Sequence, residues 1–192
     1  MKNTTISLTS ATLALVGFLA CGGGGGNKPA PVVYATKLDY TDPSGTGYRL
    51  VKASVSTDTK LVLELRGPAS EMGRGVTFSL TSDATKAAFV KVDQTEREYA
   101  QNMAFNLGEG DYKLFKSVLD GNALRVSVAQ KGSDFPAKSL DNALVRIALE
   151  LKPNVAQNTT ITLTPSDAKV LPGSSGASQP ITTIAVGTLV AK

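Results

Sequence analysis

Apolar and polar residues alternate along most of the chain beyond residue 33, a pattern typical of β-strands that bury one face. The alternate apolar positions fall into seven rows: Val51, Ala53 and Val55; Leu61, Leu63 and Leu65; Val76, Phe78 and Leu80; Leu124, Val126 and Val128; Val145, Ile147, Leu149 and Leu151; Ile161 and Leu163; Ile184 and Val186. The stretches YATKLDY from residue 34 and AAFVKV from residue 87 extend the series. Together these segments predict about nine strands.

Turn-forming sequences separate the rows. They are TDPSGTG (41–47), RGPASEMGRG (66–75), LDGN (119–122), LKPN (151–154) and LPGSSG (171–176). Glycine accepts a positive φ, proline fixes φ, and Asn or Asp side chains cap a bend. Only 93–119 is ambiguous, since TEREYAQNM and YKLFKSVL could each form a helical turn. Short strands, frequent turns and little helical periodicity predict an all-β antiparallel sandwich.

The first 20 residues have the pattern of a secretory signal peptide. Lys2 gives a basic start, and the apolar run ATLALVGFLA (11–20) is shorter than the ~20 residues that a membrane span needs. The run Phe18, Leu19, Ala20, Cys21 then resembles the lipobox of bacterial lipoproteins, in which the cysteine becomes a lipidated N-terminus. Cys21 is the chain's single cysteine, so no internal disulfide competes with this interpretation. The expected partner of the mature N-terminus is a membrane.

Three segments follow from this interpretation: a signal peptide over 1–20, a lipidated Cys21 with a Gly- and Pro-rich tether over 21–32, and a sandwich over 33–192. The tether lacks packing side chains and would let the domain stand clear of the lipid headgroups. The residue directly after Cys21 is Gly22, whereas an Asp at this position would resemble an inner-membrane retention signal. We therefore expect a cell-envelope location, on the outer membrane rather than the inner one, with the face unspecified.

The charge of the chain does not indicate a nucleic-acid partner. The chain has 20 basic and 16 acidic residues, spread along its length without a run of Lys or Arg. A solvated, mildly basic surface is the expected consequence.

Four segments share a further pattern: VTFSLTSDATKAAFVKV (76–92), ALRVSVAQKG, NALVRIALELKPNVAQNTTITLTPSDAKVLPGSSG and ITTIAVGTLV. Their order and hydrophobicity resemble those of cohesin domains, and the resemblance covers about 60–190. It implies a nine-stranded jelly-roll sandwich, similar in fold to carbohydrate-binding modules, that binds proteins or glycans without doing chemistry.

The sequence offers little for catalysis. It has no His, which removes the commonest general base and metal ligand, and lipidation would occupy its one thiol. Ser166 and Lys169 match S-x-x-K, but Pro165 predicts a loop there, and a chance match is expected. The carboxylate pairs Glu96/Glu98 and Glu109/Asp111 lie in polar sequence. We expect no enzyme activity.

Two sets of residues remain as candidate ligand contacts. Asp39 and Asp42, with Ser44, are candidate ligands for a structural calcium ion, although Asp before Pro and Gly is primarily turn chemistry. The tyrosines Tyr40, Tyr48, Tyr99 and Tyr112 flank the Gly-rich turn and the ambiguous stretch, and are candidate glycan contacts. Each could equally pack its ring at the edge of the sandwich.

Three functions are compatible with these observations. The leading hypothesis is a membrane-anchored, non-catalytic module that binds a protein partner or supports envelope or surface assembly. The alternatives are a glycan-binding module and an envelope-structural lipoprotein without a specific ligand. The sequence leaves oligomeric state, host and partner open.

Overall fold

The computed structural model describes residues 30–110, 114–132, 134–174 and 176–192. The predicted signal peptide, lipidated Cys21 and most of the tether lie outside the described residues, as does Tyr112. The chain divides into two compact units, and the second, Val32–Lys192, is the unit considered below. Within the described ranges no helix combines the length and the apolar character needed to cross a membrane.

The described residues of this unit form strands joined by turns. In chain order they are β1 (Leu38–Thr41), β2 (Arg49–Lys52), β3 (Lys60–Arg66), β4 (Met72–Ser82), β5 (Ala87–Val90), β6 (Gln101–Asn102), β7 (Phe115–Asp120), β8 (Ala123–Ala129), β9 (Lys138–Ser139), β10 (Val145–Leu151), β11 (Thr160–Ile161), β12 (Leu163–Pro172), β13 (Gln179–Pro180) and β14 (Thr188–Ala191). Four of them have only two residues, so ten are four residues or longer, close to the predicted number.

Antiparallel pairing arranges these strands in three sheets. One sheet has the order β2-β3-β10-β5, with β6 also beside β10. A second has the order β13-β12-β4-β8-β7, with β9 also beside β4. The third sheet, β1-β14-β11, pairs the first strand of the domain with its last strand. The predicted all-β, antiparallel, jelly-roll-like sandwich is confirmed.

The core lies between the two larger sheets. Alternate side chains of β3, β4, β8 and β10 point into one buried cluster, where each is at most 3 % exposed. They are Leu61, Leu63, Leu65, Val76, Phe78, Leu80, Leu124, Val126, Val128, Val145, Ile147 and Leu149. Burial of each such side chain contributes about 1.5–3 kcal/mol relative to leaving it in water. The period-two rows of these four strands therefore identified the main core.

The predicted row Val51, Ala53 and Val55 is wrong in phase. Leu50 is the buried residue of β2, because it lies opposite the inward-facing Leu65 of β3. Val51 faces the other way, and Val55 is 51 % exposed beyond the end of the strand. A shift of one residue reverses every side chain of a strand, and in β2 the neighbouring strand sets the phase.

One other segment differs from its prediction, and a second segment, which the sequence left ambiguous, is defined by the structure. Ile184 is buried, but it and Val186 lie outside a strand, and the terminal strand is β14, four residues further along. In the ambiguous stretch, the described residues contain strands β6 and β7 and no helical turn. Pairing with β10 and β8 accounts for the extended backbone of β6 and β7.

Candidate functional site

The outer side of the second sheet is exposed across its four main strands. Its outward residues form three cross-strand rows, which together we call the open face. From β7 through β8 and β4 to β12, the rows are Lys116, Ser127, Thr77 and Lys169; Val118, Arg125, Ser79 and Ser166; Asp120, Ala123, Thr81 and Thr164. All are exposed or partly exposed except Ser79, a small residue in the middle that is 8 % exposed.

Small hydroxyl residues occupy the middle of the open face. Thr77 Oγ1 donates a hydrogen bond to Val126 O at 3.0 Å, and Thr81 Oγ1 donates one to Thr164 O at 3.3 Å. These bonds keep the two side chains close to the sheet. A partner could therefore approach the β4 backbone without displacing large side chains.

The charged side chains of the open face are mainly basic and lie toward its sides. Lys116 and Lys169 stand at the two ends of the first row, and Arg125 lies in the second. Asp120 lies 3.8 Å from Arg125, but both are well exposed, so water screens this ion pair. Lys116 also has a partner within the domain, Glu98, at 3.6 Å, and Asp167 contacts Ser166 Oγ at 3.3 Å. With three cations against the exposed carboxylates of Asp120 and Asp167, the face stays net basic, which favours an acidic partner.

The outer side of the first sheet, in contrast, is covered at its centre, while the outward residues around it, Val51, Arg66, Arg146 and Glu150, stay partly exposed. Val62 and Ala148, which point outward, are 2 % and 0 % exposed, because Ala53 packs against them. The loop that carries Ala53 is held by the Ala53 N to Val62 O hydrogen bond of 2.9 Å, and Ser56 Oγ also bonds to the Val62 backbone. The two sheets therefore differ in what remains available for a partner.

A buried carboxylate with two partly exposed arginines lies on the same side. Glu64 is 5 % exposed and accepts hydrogen bonds from Arg66 at 2.8 Å and from Arg146 at 2.8 and 3.0 Å. Burial by itself raises the pKa of the Glu64 carboxyl, but the hydrogen bonds and charges of the two arginines outweigh it and lower that pKa. Glu64 is thus an ionised, fully engaged structural group.

The S-x-x-K match lies in a strand, so the predicted loop is wrong. Ser166 and Lys169 both belong to β12, opposite Ser79 and Thr77 of β4. A bulge between them puts Asp167 at a φ of 51°. Pro165 is accommodated within β12 because the strand pairs with β4 on one side only at this position. Both residues face solvent on the open face.

Tyr40 is a core residue and not a surface contact. It is 5 % exposed, its hydroxyl donates to Leu50 O at 2.9 Å, and the same hydroxyl accepts from Gly187 N at 2.7 Å. The ring is therefore not accessible for stacking on a sugar, which corrects the prediction for this residue. Burial raises the pKa of the Tyr40 hydroxyl, which favours its role as a hydrogen-bond donor.

The other described tyrosines of the candidate set also pack against the core. Tyr48 lies against it and its hydroxyl donates to Glu71 Oε2 at 3.3 Å; burial, then the Glu71 charge, raises its pKa. The ring of Tyr99 packs there too, and its backbone N–H donates to Ser117 Oγ at 2.7 Å. Nothing brings these side chains together as one aromatic platform.

The candidate calcium ligands belong to a turn and a strand. Asp42 Oδ1 accepts a hydrogen bond from Lys52 N at 2.7 Å, which is the turn chemistry that its neighbours Pro43 and Gly45 indicate. Asp39 is an exposed residue of β1. In the part of the chain that the structure describes, no group of three or more His, Cys, Asp or Glu is placed to hold a metal ion.

A cavity of about 600 Å³ opens beside the start of β4 and the end of β12, and the sequence analysis did not predict it. Met72, Leu140, Val170 and Pro172 supply apolar lining, and Glu71 adds one carboxylate. These residues come from positions 71 to 172, so no local motif marks them. Gly73, near the start of β4, leaves room there for the Leu140 side chain.

Comparison with known proteins adds information at the level of the fold. No family model and no curated protein sequence matches the chain. Solved structures of cohesins do match. The sixth cohesin of Acetivibrio cellulolyticus scaffoldin B, solved with a Cel5 dockerin mutant, is 14 % identical with a TM-score of 0.52, over 74 % of this chain and 97 % of that one.

Two further structures agree. A type II cohesin from the cellulosome of the same organism is 8 % identical with a TM-score of 0.53, over 75 % of this chain and 94 % of that one. The OlpA cohesin of Clostridium thermocellum, solved in complex with the dockerin Doc918, is 9 % identical with a TM-score of 0.51, over 74 % and 95 %. At such low identity these matches define the fold alone. This chain therefore folds as a cohesin-like β-sandwich.

Proposed function

We propose that this protein is a non-catalytic binding module, anchored to the cell envelope through lipid on Cys21, and that the open face binds a protein partner. The observation that carries the proposal is the contrast between the two outer faces. The centre of the first sheet is covered by its own loop, whereas the second leaves three polar cross-strand rows in solvent. Cohesins of the same fold have been solved with bound dockerins, which supports a protein as the ligand.

The composition of the open face suits recognition of an acidic surface. Lys116, Arg125 and Lys169 can form charge-assisted hydrogen bonds with carboxylates, which are stronger than bonds between neutral groups. Val118, 44 % exposed and beside Arg125, adds an apolar contact within the polar surroundings. Such surfaces gain association rate and selectivity mainly from complementary charge.

A matched pair of charge substitutions tests the binding surface. Ser127→Glu puts a carboxylate between Lys116 and Thr77, where it would repel an acidic partner and neutralise a nearby lysine. We expect at least a tenfold loss of affinity, about 1.4 kcal/mol. Ser54→Glu, in the exposed loop after β2, is the control and should bind as the parent does.

The partner for this measurement is identified by site-specific photo-crosslinking in the native cells, with the photoreactive residue at 127 or at 54. A discrete adduct from position 127 alone is the expected result. Equal adducts from both positions, or an unchanged affinity for the Ser127→Glu variant, would contradict the proposal for this face.

The lipid anchor has a separate test. Labelled palmitate should be incorporated into the parent chain and lost in the Cys21→Ser variant, because the thiol of this residue is the proposed site of lipidation. The lipid should also hold the parent in the membrane fraction, on the outer membrane if the host has two membranes. Incorporation that persists in the Cys21→Ser variant would refute this part of the proposal.

A further inference from the structure

Three consecutive large apolar side chains are exposed where the chain enters the domain. Val32 is 61 % exposed, Val33 59 % and Tyr34 51 %. The first two values are the highest among the large apolar side chains of the described residues, and the third is shared by Val55 and Met72. We call these three residues the entry ridge. Scattered apolar side chains on a surface are ordinary, but a contiguous group marks a site of interaction.

Backbone hydrogen bonds hold the entry ridge in place. Gln157 N donates to Val33 O at 2.9 Å, and Ala35 N donates to Val155 O at 2.8 Å on the other side of Tyr34. Tyr34 also pairs with Ala156 as an antiparallel bridge. Neighbouring side chains of an extended segment point to opposite sides, so exposure of all three means that the segment stands out from the surface.

Two lysines lie beside the ridge. Lys37 and Lys192 are exposed and joined by reciprocal backbone hydrogen bonds of 3.0 and 2.9 Å. The Lys192 ammonium donates to Asn158 Oδ1 at 2.9 Å. A long lysine side chain such as that of Lys37 can reach lipid headgroups while an apolar or aromatic neighbour enters the interface. Because Asp39 lies two residues beyond Lys37, we expect the apolar side chains to contribute more than net charge.

The length of the chain before the entry ridge indicates that the surface in contact with the ridge is a membrane. Only residues 22–31 separate Cys21 from the ridge, and ten such residues have a root-mean-square span of about 17 Å and a limit of about 35 Å. A lipid on Cys21 would therefore keep the ridge close to the bilayer and at high effective concentration. We propose that Val32, Val33 and Tyr34 insert into the headgroup region of the membrane that holds the anchor; this rests on the proposed lipidation.

The absence of tryptophan from the sequence gives a clean test. Tyr34→Trp places a single fluorophore on the ridge, and Val118→Trp places one on the open face as the control. Each full-length lipidated variant is reconstituted in vesicles of phosphatidylcholine and phosphatidylglycerol, with or without brominated acyl chains. We expect a blue-shifted emission and at least a twofold quenching by bromine for the Tyr34→Trp variant, and neither for the Val118→Trp variant.

Flotation of the vesicles reports the anchor independently of the ridge. If both variants float and only the Tyr34→Trp variant is quenched, the proposal holds; adding Val32→Ser and Val33→Ser should then reduce the quenching at least twofold. If both float and neither is quenched, or both are quenched equally, the ridge proposal fails while the anchor stands. If the lipidated protein does not float, the anchor and the ridge proposal fail together.

A protein contact has a different signature. Blue-shifted emission of the Tyr34→Trp variant that appears only after native envelope proteins are added, without bromine quenching, would assign the ridge to a protein and overturn the membrane proposal.

Discussion

Tyr40 connects three parts of the chain through one hydroxyl group. It lies in β1, donates to the carbonyl of Leu50 in β2, and accepts from the N–H of Gly187 just before β14. Gly187 has no side chain, and a Cβ at this position would collide with the Thr41 carbonyl oxygen. The close approach of these backbones leaves room for the tyrosine hydroxyl and no more.

Removing this hydroxyl should destabilise the domain with little change in shape. In the Tyr40→Phe variant, the Leu50 carbonyl and the Gly187 N–H lose their partner, and we expect a loss of about 1–3 kcal/mol in the free energy of unfolding. Urea denaturation at neutral pH measures it. The exposed Tyr34 provides the control, since Tyr34→Phe should stay within about 0.5 kcal/mol of the parent. Equal effects of both substitutions would contradict the role assigned to Tyr40.

The alternation of residues in β1 was sufficient to indicate that Tyr40 is buried. The glycan contact inferred for Tyr40 was therefore wrong. In β1, Leu38 and Tyr40 are buried and Asp39 and Thr41 are exposed, the same alternation that located the main core. Its position beside a Gly-rich turn suggested an accessible ring. The hydrogen bond to Gly187 joins residues 147 positions apart, and no local pattern indicates such a contact.

At the scale of elements, β7 is an edge strand that is capped by a side chain. Glu98 Oε2 accepts hydrogen bonds from both the backbone N–H and the hydroxyl of Ser117. Ser117 Oγ in turn accepts from Tyr99 N at 2.7 Å and Ala100 N at 3.0 Å. Unpaired N–H groups on an edge strand invite pairing with other chains, and this arrangement satisfies the N–H of Ser117, in the middle of β7, within the domain.

The Ser117→Ala variant should loosen this edge. It leaves the N–H groups of Tyr99 and Ala100 without their acceptor, so we expect a loss of about 1–3 kcal/mol and faster amide hydrogen exchange at both residues. Ser127→Ala, an exposed serine on the adjacent strand β8, is the matched control and should leave exchange at Tyr99 and Ala100 unchanged. Unaltered exchange in the Ser117→Ala variant would show that other contacts hold the segment.

The sequence predicted the strands more accurately than it predicted which outward faces of the strands are covered. Leu61, Leu63 and Leu65 were correctly placed inward, because alternation depends only on the strand itself. The intervening Val62 and Glu64 are also buried, because the loop at Ala53 and the arginines of β3 and β10 cover them. The same alternation in β4 leaves Thr77 accessible. Whether an outward row is open or covered depends on distant segments, so the sequence did not distinguish the candidate site.

At the scale of the whole molecule, the covered side of the first sheet makes stability depend on pH. The pKa of Glu64 is lower in the folded state than its ordinary value of 4.5. Its ionised form therefore contributes stability at pH values above about 4.5, and this contribution is lost as the pH falls through the lowered pKa. The domain should be progressively less stable below about pH 4.5.

Neutralising this carboxylate should flatten that dependence. For Glu64→Gln we expect a loss of about 1–3 kcal/mol at neutral pH, less than for a fully buried pair because Arg66 and Arg146 stay partly exposed, and a smaller difference from the parent at pH 3. Denaturation midpoints between pH 3 and 7 measure it. Glu109→Gln, at an exposed position, is the control. A difference between the Glu64→Gln variant and the parent that is constant across this range would contradict the assigned pKa shift.

Strand β14 has a consequence for the order in which the protein can fold. It lies between β1 and β11, so the third sheet lacks its middle strand until residues 188–191 have been synthesised. The β1–β14 pairing spans most of the domain, and such distant pairings form slowly. Strands β1 and β11 therefore have no shared partner until residue 191 has emerged from the ribosome, so completion of the third sheet is a late step in folding.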